Sequence, residues 1–83
     1  MDGAETMNRN DIFAYRLSIA MNEQSINGLS KKIDMSAIDV SRYLRGQQMP
    51  TARILCKICD ALHTTPNYLL GYDDDTGRSD KKN

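Results

Sequence analysis

Residues 25–46, SINGLSKKIDMSAIDVSRYLRG, contain two short amphipathic segments separated by only a few residues. Ser25 and Ser36 each precede one segment and are suited to cap a helix, because a serine hydroxyl accepts a hydrogen bond from a backbone N–H of the first turn. Residues 33–35 remain for the turn, and Gly46 is suited to end the second helix. The stretch therefore predicts two helices joined by a tight turn.

Each of these segments has one apolar face. In the first, Ile26, Leu29 and Ile33 recur at helical spacing. In the second, Val40 and Leu44 face inward, and the residues that flank them are Ala37 and Tyr43. The opposite side carries Ile38, Ser41, Arg42 and Arg45. A short helix with a narrow apolar stripe and an arginine-bearing outer side is suited to a DNA groove. The pattern indicates a helix-turn-helix.

The composition is that of one small helical domain. The chain has 83 residues with 40% hydrophobic side chains, a single Phe and no Trp, which favours helices over a β-sandwich. No apolar run approaches the length of a membrane span, and the N-terminus lacks a charged-then-apolar signal pattern. We therefore expect a cytoplasmic protein.

The net charge is zero, which by itself argues mildly against nucleic-acid binding. Its distribution is more informative, because residues 1–9 and the tail with its 73–75 Asp run are net acidic. Residues 10–71 are therefore slightly basic. The cations in and just after the central motif are Lys31, Lys32, Arg42, Arg45 and Arg53.

Three further helices are predicted around the motif. Asn10 is expected to cap a helix that runs from Asp11 to about residues 22–24, after a flexible arm at 1–9. Its apolar stripe is predicted as Phe13, Leu17, Ala20 and Met21, which repeat at helical spacing, and it is broadened by Ile12, Tyr15 and Ile19. Thr51 is expected to cap helix 52–62. The inward face of that helix is predicted as Ala52, Leu55, Ile58, Cys59 and Leu62.

The last helix and the tail follow from local signals. Thr65 and Pro66 predict the start of a short helix that runs to Leu70 and ends at Gly71. Residues 72–83 are polar and lack apolar anchors, so we expect a disordered tail. The predicted domain therefore spans 10–71.

Several motifs carry a resemblance to a known family. SRYLRG at 41–46 closes the third helix, and KICDAL at 57–62 is followed by TPNYLLG at 65–71. Together with five helices in this order, these stretches resemble the phage-repressor (Xre/cI-like) helix-turn-helix family over about residues 11–71. The resemblance implies an all-α, compact five-helix bundle that binds DNA as a sequence-specific transcriptional regulator. It also implies a protein that is encoded by a bacterium or phage and associated with the nucleoid.

The resemblance also implies which residues contact DNA. Those expected to contact bases are Ser36, Ala37, Ile38, Asp39 and Arg42. Those expected to contact phosphates are Ser25, Ile26, Asn27, Ser41, Arg45, Gln47 and Gln48. A guanidinium can pair bidentately with guanine, and an apolar side chain can contact a thymine methyl. For Asp39 two roles remain open, since its carboxylate can accept from a cytosine amino group or only repel phosphates.

The chain departs from the family pattern at several positions. Ile26 stands where the family usually has a Gln that reaches DNA, and Ser30 replaces a common Ala. Asp34 replaces the turn Gly, but Asp tolerates left-handed backbone better than most residues, so we expect the turn to survive. Leu44 replaces an acidic residue that forms an internal ion pair in some members.

No other chemistry emerges from the sequence. Cys56 and Cys59 form a C-x-x-C inside a predicted helix, and His63 is the only histidine, so neither zinc nor redox chemistry is expected. Cys59 falls on the apolar face and is predicted to be a buried structural thiol. We expect no catalytic site, metal, cofactor, small-molecule ligand or membrane contact.

The predicted function is that of a repressor that binds a palindromic operator as a homodimer, with helix 36–45 in the major groove. Residues 68–70, with Met49 and Tyr72, are the expected dimer surface. Two alternatives remain open. One is an antitoxin-type autorepressor that binds a toxin through its C-terminal tail. The other is an adaptor that keeps the fold but binds only protein, which the neutral charge, Ile26 and Asp39 would favour.

Overall fold

The computed structural model describes residues 8–72, which form five helices and no strand. The helices are α1 (Arg9–Met21), α2 (Ile26–Ile33), α3 (Ala37–Leu44), α4 (Ala52–Leu62) and α5 (Pro66–Leu70). The predicted all-α, five-helix fold is confirmed. The predicted tail lies outside the described residues except for Tyr72, and so does the predicted arm except for its last two residues.

Side chains cap every helix at its N-terminus. The caps predicted at Ser25, Ser36, Thr51 and Thr65 are confirmed, since each hydroxyl accepts a hydrogen bond from the backbone N–H three residues later. The prediction for α1 is wrong, because Asn8 rather than Asn10 is the cap. Asn8 Oδ1 accepts from Asp11 N at 2.9 Å, and the Asp11 carboxylate accepts from Asn8 N in return. Two backbone donors are satisfied by this reciprocal pair, whereas Asn10 would have satisfied one.

The α2–α3 turn forms as predicted around Asp34, which adopts a left-handed conformation at φ 61° and ψ 48°. The N–H of Met35 donates to Ser30 O at 2.9 Å and closes the turn. Ser36 follows at once as the cap of α3, so the angle between the two helices is defined by local backbone geometry.

One apolar core holds the five helices together. Phe13 of α1 lies at its centre, and its ring meets Tyr43 of α3 edge to face with centroids 6.2 Å apart. Leu69 of α5 is also wholly buried. The other fully buried side chains are Leu17, Leu29, Ile33, Val40 and Ile58. Every helix therefore contributes at least one fully buried residue.

The predicted apolar faces are too wide at four residues, of which Ile26 at the start of α2 is one, with 36% of its surface exposed. Tyr15 and Ile19 of α1 are 60% and 48% exposed, because α1 packs its Phe13–Leu17 side against α3 and α5 and turns these two residues outward. Ala52 in the first turn of α4 is also exposed. A helical stripe defined by spacing alone does not say how much of its width neighbouring helices cover.

Two arginines of α1 fasten α5 to the bundle. Arg16 Nη1 donates to Tyr68 O at 2.9 Å, and its guanidinium lies 4.7 Å from the centroid of the Tyr68 ring. Arg9 repeats this arrangement, since it donates to Leu70 O and stacks 4.5 Å from the centroid of Tyr72. These contacts and the burial of Leu69 commit much of α5 to the protein's own core. The predicted dimer surface at 68–70 is therefore wrong at Leu69.

The two cysteines of α4 should differ sharply in reactivity. Cys56 is exposed and Cys59 is buried, as predicted for Cys59. Burial, together with smaller contributions from the nearby Cys56 and Asp60, raises the pKa of the Cys59 thiol to about 11. At pH 8 we expect a disulfide reagent to modify one thiol per native chain, at Cys56, and two in denaturant. A Cys56→Ser variant should then be unreactive until it unfolds, and rapid labelling of that native variant would contradict the burial.

Candidate nucleic-acid interface

An open cleft of about 760 Å³ lies between the N-terminus of α2 and the outer face of α3. Its lining comes from three segments: the start of α2, the exposed side of α3, and the loop after α3. The lining residues are Ser25, Ile26, Asn27, Ala37, Ile38, Ser41, Arg42, Arg45 and Gln47. All of them belong to the set that the sequence predicted for DNA contact, so the fold brings most of that set onto one surface.

The outer face of α3 follows from its buried face. Val40 and Tyr43 are buried against α1 and α2, and Leu44 packs partly against the same core. Because successive residues are 100° apart around a helix, burying these side chains turns Ile38 and Arg42 to the other side. Ile38 is 65% exposed and the Arg42 side chain is 50% exposed. The arginine-bearing edge of α3 is therefore open to a large partner.

The start of α2 forms the second wall of the cleft. Ser25 Oγ accepts from Gly28 N at 2.9 Å, which holds the first turn in place. Ile26 is 36% exposed and lies with Ile38 in the cleft lining, so the cleft has apolar as well as cationic parts. The backbone N–H groups at this end of α2 carry the positive end of the helix dipole.

The charged residues that line the cleft are both arginines, Arg42 and Arg45. Lys31 and Lys32, near the other end of α2, are exposed but do not line it. Lys32 instead borders a smaller concave region with Asp34, Lys57 and Asp60, where charges of both signs alternate. The cationic character of the cleft thus exceeds what the neutral chain suggests.

Three of the residues predicted for DNA contact are not among those that line the cleft. Ser36 accepts from Asp39 N at 3.1 Å as the cap of α3. Gln48 makes a side-chain hydrogen bond with Tyr43. Asp39 lies beside the cleft, with Oδ1 at 3.8 Å from Arg42 Nη1.

The contact between Gln48 and Tyr43 joins the loop after α3 to the core. Burial raises the pKa of the Tyr43 hydroxyl, the hydrogen bond with Gln48 partly opposes that shift, and the charge of Asp39 adds to it. Tyr43 is 2% exposed, so Gln48 provides a polar partner to a hydroxyl that burial has separated from water. Nothing in the local sequence pattern indicated this pairing.

Across 8–72, no cluster of three or more His, Cys, Asp or Glu side chains is arranged to hold a metal ion. Within that part of the chain, no helix has both the length and the apolarity that crossing a bilayer requires.

The family relationship agrees with this geometry. A helix-turn-helix family model matches residues 20–69, which include all of α2, α3 and α4 and most of α5. The chain therefore belongs to the phage-repressor-like helix-turn-helix family, a family of DNA-binding regulators. Comparison with curated proteins and with solved structures gave no match.

Proposed function

We propose that this protein is a repressor that binds a palindromic operator as a homodimer, with α3 of each copy in the major groove. The observation that carries the proposal is the cleft between α2 and α3. Its two charged lining residues are arginines, and Arg42 and Ile38 extend from it into solvent. An exposed helix with a cationic edge, steadied by a second helix at its N-terminal side, fits a DNA groove about 12 Å wide.

Base and phosphate contacts are divided between the two helices. Arg42 is the residue proposed to read guanine through O6 and N7, and Ile38 is proposed to contact a thymine methyl group. At the start of α2, the cap uses the N–H of Gly28, so the N–H groups of Ile26 and Asn27 are those offered to a phosphate. Arg45 and Gln47 are proposed to contact the backbone beyond the end of α3.

The size of the molecule supports binding as a pair. A single α3 covers only a few base pairs, so useful affinity requires two half-sites about 34–36 Å apart. The described residues measure 34 × 33 × 24 Å. Two copies of this size therefore fit side by side on one face of a duplex, and we propose that their α3 helices enter successive major grooves.

Selection of bound duplexes from a random pool, using the full chain, tests the proposal. We expect an enriched sequence with two inverted half-sites whose centres are about 10–10.5 base pairs apart. Sedimentation of the complex should give two chains per duplex. An enriched sequence without symmetry would contradict the dimer, and a pool without enrichment would contradict specific recognition.

The salt dependence of DNA binding distinguishes the proposed repressor from an adaptor that binds only protein. Neutralisation of phosphates by arginine releases counterions, so the affinity for duplex DNA should fall steeply between 50 and 200 mM salt. An adaptor would show no such binding at low salt, even though the cleft and its exposed isoleucines could accept a peptide. Measuring binding of a random-sequence duplex across this range distinguishes the two functions.

A further inference from the structure

Asp39 and Arg42 lie one helical turn apart on α3 and face each other at the edge of the cleft. Asp39 Oδ1 is 3.8 Å from Arg42 Nη1, with side-chain exposures of 34% for the aspartate and 50% for the arginine. Both groups are therefore within reach of solvent and of any duplex that enters the cleft. The resemblance to known repressors suggested that Asp39 itself contacts a base, whereas the geometry directs its carboxylate to the arginine.

The carboxylate of Asp39 is placed differently from that of the equivalent aspartate in α1. Asp11 and Asp39 occupy the same position, three residues after the helix cap. In α1 the Asp11 carboxylate returns to the N–H of Asn8, which completes a reciprocal cap. In α3 the Asp39 N–H is held by Ser36, while the carboxylate lies beside Arg42. The second aspartate is thus placed to act on the outer face of the helix.

A carboxylate at a DNA-facing surface has two electrostatic effects. It repels phosphates, so it lowers the affinity for every duplex regardless of sequence. It also attracts a nearby guanidinium, which favours the side-chain conformations in which the arginine stays beside the carboxylate. An arginine without such a neighbour can reach a phosphate or a base edge, whereas an arginine beside a carboxylate on the groove-facing side of the helix is biased towards the base edge.

We propose that Asp39 is a specificity-determining residue that positions Arg42 for guanine and discourages it from binding phosphates. This inference rests on the proposed function, because it requires α3 to lie in the major groove. This positioning role differs from direct base contact by Asp39, because a positioning aspartate affects base recognition only when Arg42 is present. Loss of Asp39 should weaken sequence discrimination and at the same time strengthen non-specific binding.

The test is a double-mutant cycle in the full chain with two probes, the duplex enriched from a random pool and a random-sequence duplex of equal length. In the wild-type background, Asp39→Asn should raise the affinity for the random duplex about two- to fivefold, because one repulsive charge is removed. The ratio of the affinity for the enriched duplex to that for the random duplex should fall about tenfold, which lies within the range of one bidentate contact. In an Arg42→Ala background, the change in ratio should disappear.

Two matched variants separate positioning from other roles. Asp39→Glu keeps a negative charge at this position, three residues before Arg42, and should therefore retain most of the discrimination between the enriched and the random duplex. Asp60→Asn removes an equal charge from α4, away from the cleft, and should leave the ratio unchanged. If Asp39 only supported the start of α3, Asp39→Asn would weaken binding to both duplexes, and this outcome would overturn the proposal.

The cycle also separates this inference from the proposed function. If Asp39→Asn lowered the discrimination equally in the wild-type and Arg42→Ala backgrounds, Asp39 would contact a base itself. The positioning role would then be wrong, but the binding of α3 in the groove would still hold. If Arg42→Ala alone left both affinities unchanged, the assignment of α3 as the reading helix would fail. Asp39 could not then act through Arg42, and the inference would fail with it.

Discussion

Arg42→Ala is expected to weaken binding to the selected duplex by about 5- to 150-fold, which corresponds to about 1–3 kcal/mol for one bidentate contact with guanine. The Arg42 side chain is 50% exposed on the outer face of α3, so truncation removes a DNA contact without opening a cavity in the core. Discrimination should relax at one base pair in each half-site, and binding to random duplexes should change less. Anisotropy titration of a labelled duplex at fixed salt measures both effects.

Lys31→Ala is the matched control for this substitution. It also removes one exposed cation, but from a part of α2 that does not line the cleft. We expect a change within about threefold on either duplex, because a distant exposed charge is strongly screened at physiological salt. If the two variants behaved alike, the effect of Arg42 would be one of net charge, and its role in base recognition would be refuted.

Phe13→Ala is expected to have the largest effect on stability, a loss of about 3–5 kcal/mol in the free energy of unfolding. Phe13 is 0% exposed and makes the edge-to-face contact with Tyr43, so its removal leaves a cavity between α1 and α3. Domains of this size typically have total stabilities of only about 5–15 kcal/mol. A variant with much of that stability removed should unfold at far lower urea concentration, as followed by helical circular dichroism.

Tyr15→Ala on the same helix is the control for Phe13→Ala. Tyr15 is 60% exposed, and its replacement should change the free energy of unfolding by no more than about 0.5 kcal/mol. The pair compares two aromatic residues that the sequence pattern placed on one face. Similar losses for both variants would contradict the orientation of α1.

The exposed side of α3 could be predicted from the sequence, whereas that of α1 could not. α3 has only eight residues, begins at the Ser36 cap and has one apolar and one polar face. Burial of Val40 therefore leaves a single orientation for the helix, and the exposed edge of α3 was predictable. For α1, apolar residues occupy more of the circumference than the neighbouring helices cover. Spacing alone could not decide between Tyr15 and its buried neighbours, because that depends on where α3 and α5 pack.

By itself, the sequence determined the number and order of the helices, most of their caps and the left-handed turn at Asp34. These features depend on hydrogen bonds and side-chain periodicity within a few residues of one another. The resemblance to a known family indicated the residues that surround the cleft. Only the tertiary structure decided how much of the circumference of α1 is buried, that Leu69 belongs to the core, that Gln48 pairs with Tyr43, and that Arg9 and Arg16 fasten α5. Those features depend on contacts between residues distant in the chain or on the packing they produce, for which no local pattern specifies a partner.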